Sequence, residues 1–224
     1  MPETSSPMNP RRLNRFVNQL TSHIIDSSSF YFLCGENSVV TNSDDRIITI
    51  FGGSKCSEDS AEYQQAREIG GRLAEAGFTI YTGGYLGVME AASRGAREKG
   101  GRVFGIVMNQ FKSEPNRYLT DKVATDHFYD RLQNLITRSV GFVALRGGMG
   151  TVTEISLVWN KLQTRVLGRR PLVLVGEAWK NVVENWQQNL AVSKSDLAYL
   201  DFAENAEEAC RIIVEKSRGV VADA

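Results

Sequence analysis

From Arg46 onward, short β-branched apolar runs alternate with segments whose apolar residues recur every three or four positions. The first pattern belongs to buried strands and the second to amphipathic helices. Their regular succession marks βαβ units around a parallel sheet covered on both faces. Strands are expected at Ile47 to Phe51, Phe78 to Tyr81, Val103 to Met108, near Val123, at Val140 to Leu145, at Leu172 to Val175 and near Leu200. The helix after the first strand should turn Tyr63, Ala66, Ile69 and Leu73 inward and stop at Gly77, and the next should end at Gly100 and Gly101. Later helices are expected over Phe128 to Thr137, from about Thr151 to Gln163, around Trp179, Val183 and Trp186, and over Glu204 to Lys216. Asn109 to Asp121, with Pro115 and Asn116, reads as a loop of functional length.

The fold class is therefore α/β: a doubly wound, mostly parallel sheet with helices on both faces over residues 46–224, preceded by an N-terminal helical extension over residues 1–45. In that extension Asn9 can cap a helix that begins at Pro10 and carries Leu13, Phe16, Val17, Leu20 and Ile24 on one face. Such a helix suits docking on the main domain or on a second subunit. The same stretch, with Arg11, Arg12, Arg15, several serines and Glu3 as its sole acid up to residue 25, also has the composition of an organelle transit peptide.

Composition narrows the partners. The 224 residues suit one α/β domain, and 26 Lys and Arg balance 26 Asp and Glu, so no global field draws the chain to nucleic acid or to an anionic membrane. No apolar run approaches the ~20 residues of a membrane helix. Cys34, Cys56 and Cys210 lie far apart, which suggests free thiols in a reducing compartment and a cytoplasmic protein. His23 and His127 lack metal-ligand spacing and suit surface or cap roles, so neither a metal nor a cofactor is expected. Trp159, Trp179 and Trp186 read as core or interface residues rather than a stacking platform.

Three glycine-rich loops fall at expected strand ends: Gly52-Gly53-Ser54, Gly83-Gly84 with Gly87, and Gly147-Gly148 with Gly150 and Thr151. Ligands of open parallel sheets bind beyond the carboxyl ends of the strands. Glycine lets backbone approach a phosphate closely, and the following helix adds unpaired N–H groups and the positive end of its dipole. No Lys follows Gly150, so the third loop is not a Walker A sequence, and the first lacks the GxGxxG order. A mononucleotide fits better than a dinucleotide. Ser54 has no evident base for a triad, and no GxSxG elbow is present.

Counted from Thr151, residues Glu154, Ile155, Val158 and Leu162 share one helix face, so Glu154 is directed toward an apolar side. A carboxylate there requires a cationic partner or a polar ligand, unless it merely complements the dipole of a first helical turn. On the preceding helix Phe128, Leu132, Leu135 and Ile136 form the expected buried stripe, with Arg131 and Arg138 along its edge. Arg131 lies nearer the ligand end and is the better candidate partner.

The stretches TGGYLGVMEAASRGA and RGGMGTVTE resemble the two signatures of the Lonely Guy (LOG) family of cytokinin-activating phosphoribohydrolases, formerly mislabelled lysine decarboxylases, and of related nucleotide-binding proteins that include molybdenum-cofactor carriers. The resemblance runs from about Ile47 to Leu190. It implies a Rossmann-like domain and hydrolysis of the N-glycosidic bond of a nucleoside 5'-monophosphate, of AMP or cytokinin riboside type. It also implies catalysis by Glu154 and Arg131, since the family's arginine, counted back from its glutamate, falls on Arg131. By the same resemblance the backbone of Gly148 to Thr151 holds the phosphate, and Ser54, Gly84 and Met89 line the base and ribose side. Gly53, Gly83, Gly87, Arg146 and Gly147 complete the binding set. A homodimer or higher homo-oligomer, with sites near the interface, is carried over too. Two positions depart from the family pattern: Arg146 replaces the proline of PGGxGT, and Leu132 replaces the basic residue that usually follows the arginine. Both alter the rim of the phosphate pocket and leave the substrate, or a non-catalytic carrier role, open.

Overall fold

The computed structural model describes residues 46–220, so the N-terminal helix, His23, Cys34 and the division at residue 45 lie outside the described residues. Seven strands form one sheet: β1 (Ile47–Phe51), β2 (Thr79–Thr82), β3 (Val103–Met108), β4 (Asp121–Thr125), β5 (Ser139–Ala144), β6 (Leu172–Val175) and β7 (Asp201–Ala203). Their order is β4-β3-β2-β1-β5-β6-β7, and every adjacent pair is parallel. Six helices connect or follow them: α1 (Ala61–Glu75), α2 (Val88–Glu98), α3 (Phe128–Thr137), α4 (Met149–Gln163), α5 (Glu177–Asn189) and α6 (Ala206–Lys216). This is the expected doubly wound architecture.

Strand periodicity assigns the two layers. In β1, Ile48 and Ile50 join a core with α1, α2 and α6, whereas Ile47 and Phe51 join a second core with α3, α4 and α5. Thr49 shares the second face and is fully buried, which would be costly if its hydroxyl were unpaired. It bonds the Leu135 carbonyl and the Ser139 hydroxyl, both at 2.6 Å. Topologically, the chain winds outward from β1 through β2 to β4, then crosses back to β5 and winds the other way. The carboxyl ends of β1 and β5 thus flank the switch point, where successive loops leave toward opposite faces and open a crevice.

The wall beside this crevice is a helix pair in unusually close contact. A Cβ added at Gly70 of α1 would lie 2.1 Å from the Ala92 carbonyl oxygen, and one at Gly95 of α2 would lie 1.8 Å from that of Arg67. Backbone cannot yield as a side-chain tip can. Overpacking typically costs about 1–3 kcal/mol, more than the ~1 kcal/mol that alanine gains in helix propensity. Gly95→Ala is accordingly expected to lower the thermal midpoint by roughly 2–8 °C, read by circular dichroism. An unchanged midpoint would contradict the close crossing.

Two Trp expectations hold in detail. Trp159 and Trp179 are buried, and Trp159 stacks on half-buried Trp186 at 6.3 Å while donating its Nε1–H to the Asp196 carbonyl. Cys56 and Cys210 are free thiols, and burial pushes the Cys210 thiol up to about 12. No described helix is long and apolar enough to cross a membrane.

Candidate functional site

The three glycine loops meet at the switch point. Gly53 donates its N–H to the Arg146 carbonyl at 3.0 Å and accepts from Val88 N at 2.9 Å, which ties the loop after β1 to both others through main-chain atoms. Side chains would not fit where they touch. At Gly147 a Cβ would meet Thr151 Oγ1 at 2.1 Å, and at Gly87 it would meet the Gly53 carbonyl at 2.4 Å. Gly87 and Gly84 also adopt left-handed backbone, with φ of 69° and 82°, where glycine is favoured. The loop after β2 is closed by Thr82, whose hydroxyl accepts from Gly84 N at 3.1 Å.

Helix α4 begins at Met149, two residues before the expected start, with Gly148 as its N-cap. No side chain caps it and its first turn holds no acid, so the early N–H groups face the crevice without a protein carboxylate to complement them. Gly148, Met149 and Gly150 are exposed while Thr151 is buried. The earlier start moves Glu154 into the second turn. Simple first-turn dipole complementation therefore does not account for it.

Glu154 is 9 % exposed and faces Arg131, whose Nη1 lies 3.5 Å from its Oε1. Arg131, 7 % exposed, also donates from Nε to the Ile106 carbonyl at 2.9 Å and from Nη2 to the Gly83 carbonyl at 3.4 Å. Strand β3, the loop after β2 and helix α4 are thereby joined by one guanidinium. Gly83 leaves room for this, since a Cβ there would sit 2.1 Å from Arg131 Nη2 and 2.7 Å from Met89 Sδ and would displace those side-chain ends. The expected stripe of α3 needs one correction. Phe128 is 41 % exposed, and the buried positions are Arg131, Leu132, Leu135 and Ile136. His127 caps α3 by position only, without a side-chain bond.

Burial pushes the Glu154 carboxyl up to about 7, and the Arg131 guanidinium pulls it back only in part. A carboxyl whose folded value is raised contributes stability that is complete below its unfolded value near 4.5 and is lost as pH rises through about 7. Between those limits, wild type should lose about 3 kcal/mol relative to Glu154→Gln. Urea unfolding of both proteins from pH 4.5 to 8 reads this directly. Parallel pH curves would contradict a buried, titrating Glu154.

Other expected site residues occupy the rim. Ser54 is exposed, Met89 is half-buried beside Gly83, and the Arg146 side chain, 73 % exposed, turns to Glu62 Oε1 at 3.0 Å. Sequence reasoning did not single out Tyr85. Its hydroxyl accepts from Met108 N at 2.8 Å, and its ring packs on Phe111 at 5.6 Å. Nor was Asn116 assigned a role, although it is buried and anchors the loop between β3 and β4. It donates from N to the Gly84 carbonyl and from Nδ2 to the Tyr85 carbonyl, at 2.8 and 3.0 Å. Its one sequence signal is the preceding Pro115, which marks a fixed turn but not its partners.

A model of the SLOG cluster4 family matches residues 45–200. The chain belongs to that family. Among relatives of this SLOG cluster4 chain, an uncharacterized protein of Archaeoglobus fulgidus is 33 % identical over 128 residues, which cover 57 % of this chain and 82 % of the relative. The cytokinin riboside 5'-monophosphate phosphoribohydrolase of Mycobacterium tuberculosis is 28 % identical over 157 residues, covering 65 % of this chain and 82 % of that one. Among solved structures, the fold of this SLOG cluster4 chain is similar to that of the molybdenum cofactor binding protein of Rippkaea orientalis. That structure has a TM-score of 0.63 and 21 % identity, over 76 % of this chain and 96 % of the other.

Proposed function

We propose that this protein hydrolyses the N-glycosidic bond of a nucleoside 5'-monophosphate, of AMP or cytokinin riboside type, to free base and ribose 5-phosphate. The observation that carries the proposal is a buried carboxylate, paired with a buried arginine, one helical turn beyond a phosphate-ready N-terminus. One turn is ~5 Å, and helical side chains lean toward the N-terminus, so Glu154 lies within reach of the anomeric carbon when the 5'-phosphate rests on Gly148 to Thr151. Relatives named as cytokinin riboside 5'-monophosphate phosphoribohydrolases support the same reaction class.

In this reading Glu154 acts as carboxylate. It orients a water toward C1', accepts the water's proton as the C1'–N bond breaks, and stabilises the positive charge that develops on the ribose, while the departing base takes up a proton from solvent and Glu154 later returns its own to solvent. Arg131 holds Glu154 in place. No cofactor takes part. Gly53, Gly83, Gly84 and Gly87 shape the crevice, and Ser54, Met89 and Arg146 stand at its edge. The protein works as a homodimer or higher homo-oligomer in the cytoplasm.

Chromatography of wild-type reactions with AMP, other nucleoside monophosphates and isopentenyladenosine monophosphate tests the proposal. Release of base and ribose 5-phosphate is expected from at least one of them. The second reading, a non-catalytic carrier of a phosphorylated ligand, is favoured by Arg146, which adds a cation to the rim where the related enzymes carry proline. Tight binding of the same compounds without turnover would establish it instead.

A further inference from the structure

Three successive carbonyls of the loop after β2 are held by two residues from elsewhere in the chain. Gly83 accepts from Arg131 Nη2 at 3.4 Å, Gly84 from the main-chain N–H of Asn116 at 2.8 Å, and Tyr85 from Asn116 Nδ2 at 3.0 Å. The loop contains Gly83, Gly84 and Gly87, and glycine has more conformational freedom to lose on folding than any other residue, so its shape depends on such anchors. Asn116 is itself well fixed. It is 6 % exposed, and its Oδ1 accepts from Tyr118 N at 3.1 Å while its Nδ2 donates, so both ends of the amide are used.

The loop in turn aims Arg131. A guanidinium is a rigid plane, so placing two of its nitrogens places the third. Nε donates to the Ile106 carbonyl at 2.9 Å, Nη2 takes its position from Gly83, and Nη1 is thereby brought to 3.5 Å from Glu154 Oε1. Ile106 belongs to β3, which is paired on both sides by β2 and β4, so the first anchor cannot drift. The second anchor is only as steady as the glycine loop that carries it.

We infer that Asn116 is a positioning residue for the Arg131 and Glu154 pair: by holding the Gly84 and Tyr85 carbonyls it keeps Gly83 where the guanidinium meets it, and so keeps Arg131 turned toward the carboxylate. Its meaning for catalysis rests on the proposed hydrolysis, in which Glu154 acts ionised. Asn116 is neutral, so its loss reaches Glu154 through geometry and not through charge. The charged group that faces Glu154 is Arg131, which lowers the carboxyl against the larger, opposite push of burial. A guanidinium free to turn away lowers it less, and the carboxyl then holds its proton to higher pH. An amide that merely stabilised the fold would leave that titration where it is.

The test follows the Glu154 side-chain carboxyl by carbon NMR in the full chain from about pH 5 to about 9, its resonance identified by its loss in Glu154→Gln. Asn116→Ala keeps the main-chain bond to Gly84 but loses the amide, and its midpoint should rise by roughly half a pH unit or more. Asn116→Ser, whose hydroxyl can still donate to the Tyr85 carbonyl, should rise less, and it serves as the milder variant if the alanine protein does not fold. Gly95→Ala disturbs the contact of α1 with α2 and none of these bonds, so its midpoint should match wild type. The pH at which base release rises should move with the midpoint. A midpoint unchanged in the Asn116 variants, or shifted equally in Gly95→Ala, would overturn the inference. No substrate enters the titration, so a shifted midpoint in a protein that releases no base would count against the hydrolase reading and leave the positioning role standing.

Discussion

Glu154→Gln is expected to lower base release by roughly 10² or more while leaving the fold and phosphate binding intact, as for loss of an acid-base or charge-stabilising group. Glutamine preserves the shape and can still accept from Arg131, but it carries no negative charge and cannot take a proton from water. Binding of ribose 5-phosphate should therefore stay near the wild-type value, since in the proposed mode the phosphate rests on main-chain N–H groups of the loop before and the first turn of α4. The wild-type rate should rise with pH through about 7, where the Glu154 carboxyl ionises, and the residual rate of the variant should not follow that rise. Steady-state kinetics across pH reads both outcomes. Undiminished turnover by the variant would remove Glu154 from the chemistry.

Arg131→Met is expected to be the most destabilising single change at the site, at about 3–5 kcal/mol. Methionine can fill the space of the side-chain stem. It leaves Glu154 without its cation and withdraws the donors of the Ile106 and Gly83 carbonyls. The remaining carboxyl would respond by holding its proton to higher pH, so the deficit should be smaller in mildly acidic buffer. Combining Arg131→Met with Glu154→Gln removes the uncompensated charge and should recover part of the loss, because deleting both members of a buried pair costs less than deleting one. A double-mutant cycle by urea denaturation reads the coupling. A single variant as stable as wild type would mean that Arg131 does not hold the site together.

Most of the fold was legible because it depends on period and punctuation. Strands such as Val103–Met108 and Leu172–Val175 are short apolar runs bounded by breakers, and Gly77 and Gly100 end helices as glycine does elsewhere. The expectation failed where two physical rules compete. The apolar character of Phe128 predicts a core position on α3, but the residue lies in the first turn beside exposed Tyr129, and the inward position one turn later belongs to Arg131. Hydrophobic periodicity does not reveal a buried cation whose partners come from β3, the β2 loop and α4. The start of α4 lies earlier than residue type predicts for a related reason. Glycine is a poor helix former, yet at the first positions of a helix it leaves N–H groups open. Positions in the sequence did suggest that Arg131 and Glu154 belong together, and the structure sets them 3.5 Å apart. The anchors at Asn116 and Tyr85 were invisible because their partners are main-chain atoms, which no residue pattern encodes.

The bonds from Gly53 to Arg146 and from Val88 to Gly53 run between backbone atoms alone. The frame of the crevice is for that reason indifferent to the side chains displayed around it. In the proposed function, exchanges at Ser54, Met89 or Arg146 can change what the mouth accepts without loosening the loops behind it. Within one lineage, new ligand preferences can then arise by single substitutions, each judged by selection on binding rather than on folding.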